Sequence, residues 1–336
     1  FIGRALETLG NYSYSIYLVH FPVIVLALYQ PFSGTILGAP SVSGLLLLLA
    51  LVTALSLILH NFVEKRANIL FSTWKTIGAI VMVVAMSMTL GPLNRMGFTE
   101  DENKIFDAWT DRSTYRCGKA ARLLDPSASF CDITPVSLPE DAPSIFLVGN
   151  SHADSIKQSF AKVTAASGYR TYFAIPNNPL MGSKFDHEWL IEIVKGKNAS
   201  AVALHFSLNA ALPEWLGELP TKLAAENVQT MLFLPVPTYK VHIPSALYSN
   251  HTDDAPLPAM DISGYYASDN DVLVYAVSQD VNGFSYYDTG AVLCRPDCLL
   301  KTEDGRPTYY DDDHLTLTGA ELLEDLFKRA VASIEN

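Results

Sequence analysis

Long stretches without charged residues occupy the first part of the chain. No Asp, Glu, Lys or Arg lies between Glu7 and Glu64, and none lies between Lys75 and Arg95. A helix that crosses a bilayer needs about 20 mostly apolar residues, because it must satisfy all its backbone polar groups internally. The pattern predicts three transmembrane helices, at residues 14–30, 42–59 and 76–92.

Beyond residue 143 the pattern changes to short apolar runs that alternate with helical segments. Strand-like runs lie at residues 145–148, 171–175, 201–206, 230–234 and 284–287. Helix-like segments lie at residues 155–167, 187–195, 214–226, 271–280 and 317–334. Strands separated by helices predict an α/β domain with a mostly parallel sheet between two helical layers, a three-layer αβα arrangement. Such a sheet carries its site at the carboxyl ends of the strands.

These patterns divide the chain into four parts. Residues 1–70 contain the first two predicted spans, and residues 71–93 contain the third. Residues 94–143 are polar, irregular and rich in proline, so we interpret them as a linker region. Residues 144–336 form the α/β domain, in which the aperiodic stretch 236–264 is expected to cover the site. Because the chain begins with Phe inside an apolar region, we expect it to be part of a longer membrane protein.

Basic residues predict the orientation of the spans. Lys65, Arg66 and Lys75 lie between the second and third spans, and Arg4 precedes the first. Because basic residues favour the cytoplasmic side of short loops, three alternating spans place everything after about residue 92 on the far side of the membrane. We therefore expect the α/β domain outside the cytoplasm.

Cysteine usage and charge agree with this placement. All four cysteines follow the predicted spans, and an oxidising compartment favours two local disulfides, Cys117 with Cys131 and Cys294 with Cys298. A zinc site is the alternative, but the spacing is irregular and no histidine pattern accompanies it, so we expect no metal. The net charge of −12 excludes a generally basic surface for nucleic acid.

A serine follows the first strand of the predicted sheet, where a helix is expected to begin. Free backbone N–H groups at that point can stabilise an oxyanion. The hydroxyl of Ser151 is a weak nucleophile, and it needs a histidine to take its proton and a carboxylate to orient that histidine. Asp311 and His314 precede the last helical segment and can meet Ser151 over the same strand ends. Taken singly, the serine is also typical of a helix cap and the aspartates of a solvated loop.

Two groups of residues resemble known families. The segment Leu147-Val-Gly-Asn-Ser-His-Ala-Asp154 resembles the first block of the SGNH (GDSL-like) hydrolases, and Asp311-Asp-Asp-His314 resembles their last block, Asp-x-x-His. Residues 9–22 and 60–66 resemble the late spans of the acyltransferase 3 family of membrane O-acyltransferases. The combination resembles bacterial inner-membrane O-acetyltransferases with a periplasmic SGNH domain, which modify surface polysaccharides.

The resemblance implies a role for each matching residue of the catalytic blocks. Ser151 would be the nucleophile and His314 the general base and acid. Asp311 would orient His314, with Asp312 and Asp313 as alternatives. For His152, beside the nucleophile, we expect a structural role.

The oxyanion hole is less well matched. Besides the backbone N–H of Ser151, the resemblance implies Gly182 of the second block as a donor. The third block of the family has an Asn in a Gly-x-Asn context, whereas Asn209 lacks that glycine. In the membrane part, His20 would belong either to the acyl-transfer path or to a helix end at the membrane surface.

The resemblance also implies the partners and the reaction. No cofactor is expected to stay bound, and cytoplasmic acetyl-CoA would supply the acyl group to the membrane part. The partners would be a surface glycan acceptor such as the lipopolysaccharide O-antigen, the lipid bilayer and the preceding membrane spans of the same protein. Two alternatives remain: an extracytoplasmic carbohydrate acetylesterase, and a non-catalytic glycan-binding module that serves the membrane acyltransferase.

Overall fold

The structure is a computed structural model that forms two compact units, Phe1–Thr99 and Glu100–Asn336. It describes residues 2–28, 32, 39–62, 64–66, 81, 97–118, 130–174, 187–207, 214–267 and 271–334. Apart from Val81, the third predicted span lies outside the described residues. Gly182 and Asn209 lie outside them as well.

The first unit contains two long helices, α1 (Ile2–Leu28) and α2 (Val42–Phe62), and a short 3-10 turn at Glu64–Arg66. Residues 10–28 and 42–62 are long and apolar enough to cross a membrane, with mean hydropathies of 1.3 and 2.7. Most of their side chains are not buried within the protein, unlike those of a core helix in a soluble domain. They coincide with the first two predicted spans.

Polar contacts connect the two helices at one point. The carboxylate of Glu64 accepts a hydrogen bond from Ser15 Oγ at 2.7 Å and is paired with His60 Nδ1 at 2.7 Å. Nδ1 of His20 lies about as close to two carbonyl oxygens of its own helix, at 3.0 and 2.9 Å. These contacts are local, and they leave both predicted roles of His20 open.

The second unit is built on a sheet whose described strands run in the order β1-β3-β2-β4-β5-β6. Strands β2 to β6 pair in parallel, and β1 pairs antiparallel with β3 at one edge. The predicted α/β domain with a mostly parallel sheet is therefore confirmed. The strands are β1 (Phe130–Asp132), β2 (Ser144–Gly149), β3 (Arg170–Ala174), β4 (Ala199–His205), β5 (Gln229–Phe233) and β6 (Phe284–Tyr287).

Helices cover the sheet and bury its apolar side chains. Strand β2 is buried along its whole length, which explains why its sequence is a continuous apolar run. The described helices of this unit are α3 (Glu100–Asp107), α4 (Ser151–Ala166), α5 (His187–Gly196), α6 (Leu219–Ala225), α7 (Ile243–Asp253), α8 (Ile262–Ala267), α9 (Asp271–Ser278), α10 (Gly290–Leu293), α11 (Leu317–Glu321) and α12 (Glu324–Ala332).

Two apolar clusters hold these helices to the sheet. Leu190 of α5, Leu223 of α6 and Val272 of α9 belong to one large cluster together with residues of β2, β4 and β5. Phe160 of α4 and Phe327 of α12 pack edge to face, with ring centroids 5.4 Å apart, and both contact a phenylalanine of β5. The sheet is thus fixed by contacts that are remote in sequence.

Two of the predicted helices are interrupted in the structure. The segment predicted at 214–226 is a 3-10 turn at Glu214–Gly217 followed by α6, which begins with a proline in its first turn. The last predicted helix, 317–334, is divided into α11 and α12 by a turn at residues 322–323. In both cases periodicity indicated the apolar face and did not reveal the break.

The segment interpreted as a linker contributes ordered structure to the second unit. Helix α3 buries Ile105, and the following Ala108 is also buried. Strand β1 extends the sheet, and a disulfide joins Cys117 to Cys131. A second disulfide joins the other two cysteines, Cys294 and Cys298. The compact unit therefore begins well before residue 144.

Candidate active site

Ser151 lies where β2 ends and α4 begins, at the carboxyl edge of the parallel strands. The preceding Gly149 approaches β4 closely, and a Cβ atom at that position would lie 1.9 Å from the carbonyl oxygen of His205. Asn150 caps α4, because its Oδ1 accepts from the backbone N–H of His152 at 3.0 Å. Its Nδ2 donates to Ser207 Oγ at 3.0 Å, which fixes the turn to the end of β4. The cap explains why α4 begins at Ser151, as expected, although the helix-like pattern itself begins only at residue 155.

Three of the predicted site residues form a chain of hydrogen bonds. Ser151 Oγ lies 2.7 Å from His314 Nε2, and His314 Nδ1 lies 2.9 Å from Asp311 Oδ2. The other oxygen of Asp311 accepts from the backbone N–H groups of Asp313 and His314, at 3.1 and 2.7 Å. One carboxylate therefore both orients the imidazole and holds the loop that carries it. With a proton on Nδ1, Nε2 is free to accept from the serine hydroxyl.

A second carboxylate also contacts the histidine. Asp313 Oδ1 lies 2.6 Å from His314 Nδ1, so Asp311 and Asp313 share the same ring nitrogen. Asp313 Oδ2 lies 3.3 Å from Nε2 of His152, whose side chain is almost completely buried. The rings of His152 and His314 are 4.6 Å apart between centroids. The side chain of His152 thus points into this cluster, although its position beside Ser151 gave no such indication.

These contacts determine the charges of the site. Burial works against the imidazolium form of His314, but the hydrogen bonds to Asp311 and then Asp313 outweigh it and raise the pKa of His314 to about 10. Burial likewise works to raise the pKa of Asp313, yet the hydrogen bonds from His152 and His314 hold it far below its usual range. Burial lowers the pKa of His152. The site therefore places one imidazolium between two carboxylates, beside a neutral histidine.

A further buried histidine lies behind the cluster. His205, the last residue of β4, is completely buried, and burial lowers its pKa to about 3. Its Nδ1 lies 3.1 Å from the carbonyl oxygen of Phe233, and its ring is 6.2 Å from that of His152. His205 is neutral at physiological pH, and it lies buried at the end of β4 between Phe233 and His152.

Two segments hydrogen-bond to the loop that carries Asp311 and His314 and to the residues that follow it. Tyr239 N donates to the carbonyl of Asp312 at 2.9 Å, and Ile243 N donates to that of Asp311 at 3.0 Å. Both donors belong to the stretch 236–264 that was expected to cover the site, and its contact with this loop supports that expectation. On the other side, the backbone N–H of Leu317 donates to the carbonyl of Asp111 at 2.9 Å.

Asp154, the last residue of the first motif, contacts residues that hold the fold together. Its Oδ1 accepts from the buried Lys157 at 2.7 Å, and its two oxygens lie 3.0 and 3.1 Å from the backbone nitrogen of Arg116. Lys157 also donates to Ser113 Oγ at 2.6 Å and to the carbonyl of Thr114. This pair fastens the segment after α3 to α4.

The oxyanion donors are described only in part. Ser151 is the first residue of α4, where backbone N–H groups have no carbonyl partner within the helix and carry partial positive charge. Its N–H is therefore suitably placed for an oxyanion beside Oγ. The other predicted donors, Gly182 and Asn209, lie outside the described residues.

Among the described residues, two groups have the donor atoms of a metal site. Ligand atoms of His152, Asp313 and His314 lie within 4.8 Å of one another, as do those of the consecutive aspartates 311 to 313. In the first group Asp313 already contacts both histidines, His152 through Nε2 and His314 through Nδ1. A metal between these side chains would replace those contacts.

Comparison with known proteins gives one family match. Residues 216–329 match the family described as the SGNH domain fused to AT3 domains. This region includes Asp311 and His314, whereas Ser151 precedes it. A solved structure, the periplasmic domain of a lipopolysaccharide acetyltransferase from Salmonella ser. Paratyphi A, aligns with 15% identity and a TM-score of 0.45. The alignment covers 70% of this chain and 97% of that one. No curated protein sequence gives a significant match.

Proposed function

We propose that this chain is part of a membrane O-acyltransferase, because residues 216–329 match the family of SGNH domains fused to AT3 domains. It transfers an acyl group, acetyl in our proposal, to a hydroxyl of a cell-surface polysaccharide such as the lipopolysaccharide O-antigen. The observation that carries the proposal is the hydrogen-bonded chain from Ser151 through His314 to Asp311.

In the first step, the serine takes up the acyl group. The neutral form of His314 is the one that reacts: Ser151 Oγ attacks the acyl carbonyl as His314 Nε2 accepts the hydroxyl proton, and the oxyanion forms beside the first N–H groups of α4. The bond from the carbonyl carbon to the leaving group then breaks, and His314 returns the proton to that leaving group. The product is an acyl ester on Ser151.

In the second step, a glycan hydroxyl takes the place of the donor. It attacks the acyl-serine while His314 accepts its proton, and His314 then protonates Ser151 Oγ as the ester bond to the serine breaks. The imidazolium forms twice in this sequence. Asp311 stabilises it each time, and Asp313 adds a second negative charge at the same nitrogen.

The membrane part supplies the acyl group in this proposal. Cytoplasmic acetyl-CoA is the donor, and the preceding spans of the same protein carry the acyl group across the inner membrane to the periplasmic SGNH domain. Helices α1 and α2 support a membrane location because of their length and apolar composition. The acyl-serine then connects a donor on one side of the bilayer with an acceptor on the other.

An esterase is the second candidate, because the same residues hydrolyse an ester when water replaces the sugar. The exposure of Ser151 favours this alternative, since solvent can reach the acyl-serine. The two activities differ in the product, an acetylated glycan or free acetate. A glycan-binding module without chemistry would need neither the serine nor the histidine.

The test is the acetylation of surface glycans in cells that carry the full-length protein or its Ser151→Ala variant. We expect glycan acetylation to fall by several orders of magnitude in Ser151→Ala. Ser167→Ala, at the opposite end of α4, is the matched control and should leave acetylation unchanged. Full acetylation in Ser151→Ala would reject transfer through this serine. Acetylation that increases when the serine is lost would favour the esterase.

A further inference from the structure

An aromatic and basic surface extends outward from the catalytic histidine. The ring of Tyr310 stacks on that of His314, with centroids 5.4 Å apart and planes inclined by 14°. The guanidinium of Arg112 lies 5.8 Å from the centroid of Tyr310 and 3.9 Å from that of Trp109. We call Trp109, Arg112 and Tyr310 the platform. The three side chains follow one another from His314 outward to solvent.

The exposure of Trp109 requires an explanation. Its neighbour Ala108 is 1% exposed, whereas the indole remains 56% exposed. Large aromatic side chains contribute strongly to binding when they are later covered, and they concentrate in interaction sites. Arg112 covers part of the indole and is itself exposed. The remaining indole surface is thus available to a ligand that also meets a guanidinium.

The backbone under the platform is fixed. Thr110 N and Asp111 N both donate to the carbonyl of Asp107, at 2.9 and 2.8 Å. Asp111 also accepts from the N–H groups at the start of α11, through its carbonyl at 2.9 Å and its carboxylate at 3.3 Å. Because the platform is held before a ligand arrives, less conformational entropy is lost on binding.

The chemistry of the platform fits a sugar. The C–H face of a pyranose is apolar and packs on an aromatic ring, while its hydroxyls accept hydrogen bonds from a guanidinium. Tryptophan, tyrosine and arginine are also the residues of membrane interfaces. The sugar is favoured here, because the platform is continuous with His314 through the stacked ring of Tyr310.

We propose that Trp109, Arg112 and Tyr310 form an acceptor subsite that binds a neighbouring sugar unit of the polysaccharide while its acylated hydroxyl lies at Ser151. This inference rests on the proposed function. It assigns a binding role to a segment whose sequence resembles a linker, and it explains why that segment is fastened to both α4 and α11.

The experiment uses the full-length protein in detergent with two probes. The first is 4-nitrophenyl acetate, whose hydrolysis needs no glycan. The second is surface polysaccharide of the source organism, freed of its esters with mild alkali and acetylated from acetyl-CoA at increasing polysaccharide concentrations. For Trp109→Ala we expect the KM for polysaccharide to rise roughly ten-fold relative to any change in 4-nitrophenyl acetate hydrolysis. Trp109→Phe, which keeps an aromatic ring, should recover part of this loss.

The control is Tyr286→Ala, which removes an exposed tyrosine from the edge strand β6 and should leave both activities unchanged. An unaltered KM for polysaccharide in Trp109→Ala would overturn the subsite. The same holds if the variant only loses binding to vesicles of anionic phospholipid, which would make the platform a membrane contact. If Ser151→Ala retains both activities, the proposed function itself fails. Hydrolysis of 4-nitrophenyl acetate also shows whether each variant is folded.

Discussion

Replacing Asp313 with asparagine should change the pH at which His314 acts as a base. In the wild-type protein, Asp311 and Asp313 both contact Nδ1 of His314, at 2.9 and 2.6 Å, and they raise its pKa to about 10 despite burial. The substitution removes one of the two charges and nearly conserves the shape. Asp311 still holds the ring and the loop, so the geometry at Ser151 should be preserved.

The size of the effect follows from the two carboxylates. An unperturbed histidine has a pKa of about 6.5, and the hydrogen bond to Asp311 raises the pKa of His314 more than that to Asp313. We therefore expect the pKa of His314 in Asp313→Asn to fall by roughly 1 to 2 pH units. The neutral fraction of His314 near pH 7 then rises by roughly 10- to 100-fold. The gain in rate is smaller than this, because a histidine of lower pKa is a weaker base for the serine proton.

The profiles of kcat/KM against pH for wild type and for Asp313→Asn are expected to cross. For 4-nitrophenyl acetate, the acid limb of kcat/KM reports the pKa of the base in the free enzyme. Asp313→Asn should shift this limb to lower pH, react several-fold faster than wild type near pH 7 and react several-fold slower on the alkaline plateau. Asp312→Asn is the matched control, since Asp312 is exposed and belongs to the same loop.

Two results would refute this reasoning. One is an acid limb that stays in place in Asp313→Asn, which would mean that the second carboxylate does not affect the base. The other is an equal shift in Asp312→Asn, which would indicate a general effect of net charge. Repeating the profiles at high salt separates these cases, because screening weakens exposed charges more than buried ones.

Three further predictions concern the support of the site. Asp311→Asn should lower kcat on the alkaline plateau by up to roughly 10⁴-fold, because Asp311 both orients the ring and holds its loop. A loss on that plateau no larger than in Asp313→Asn would contradict this. Below about pH 6.5 the domain should lose stability, since the unfolded chain protonates His205 while the folded chain keeps it neutral down to about pH 3. The unfolding temperature of His205→Asn should therefore depend less steeply on pH than that of wild type. Equal slopes for the two proteins would exclude His205 as the cause. Lys157→Met should lower the free energy of unfolding of the domain by about 3 kcal/mol, because it leaves the buried carboxylate of Asp154 without its lysine partner. Lys162 is exposed, and Lys162→Met should change the unfolding midpoint little.

The sequence indicated the parts of this site whose signals are local. Continuous apolar runs located β2 to β5 because these strands are largely buried. The two short motifs located Ser151, Asp311 and His314. The helix-like pattern begins only at residue 155, four residues after the start of α4, since the cap depends on the side-chain geometry of Asn150.

The parts of the site that the sequence did not predict depend on contacts between residues that are remote in sequence. Residues 100–112 have few apolar side chains, and their order comes from the buried Ile105 and from bonds to the start of α11. The contact of His152 with Asp313 spans 161 positions, and it follows from how Asp311 folds its loop. Neither feature leaves a periodic pattern. The sequence offered Asp312 and Asp313 only as alternatives to Asp311, whereas Asp311 and Asp313 both contact His314.

Transfer through an acyl-serine can be observed by peptide mass spectrometry. The full-length protein in membranes is incubated with acetyl-CoA that carries a labelled acetyl group, first without and then with de-esterified surface polysaccharide. We predict labelled acetyl on Ser151 in the absence of polysaccharide, its transfer to the glycan when polysaccharide is added, and no label on the serine peptide of Ser151→Ala. Labelled glycan produced by Ser151→Ala at the wild-type rate would contradict the mechanism.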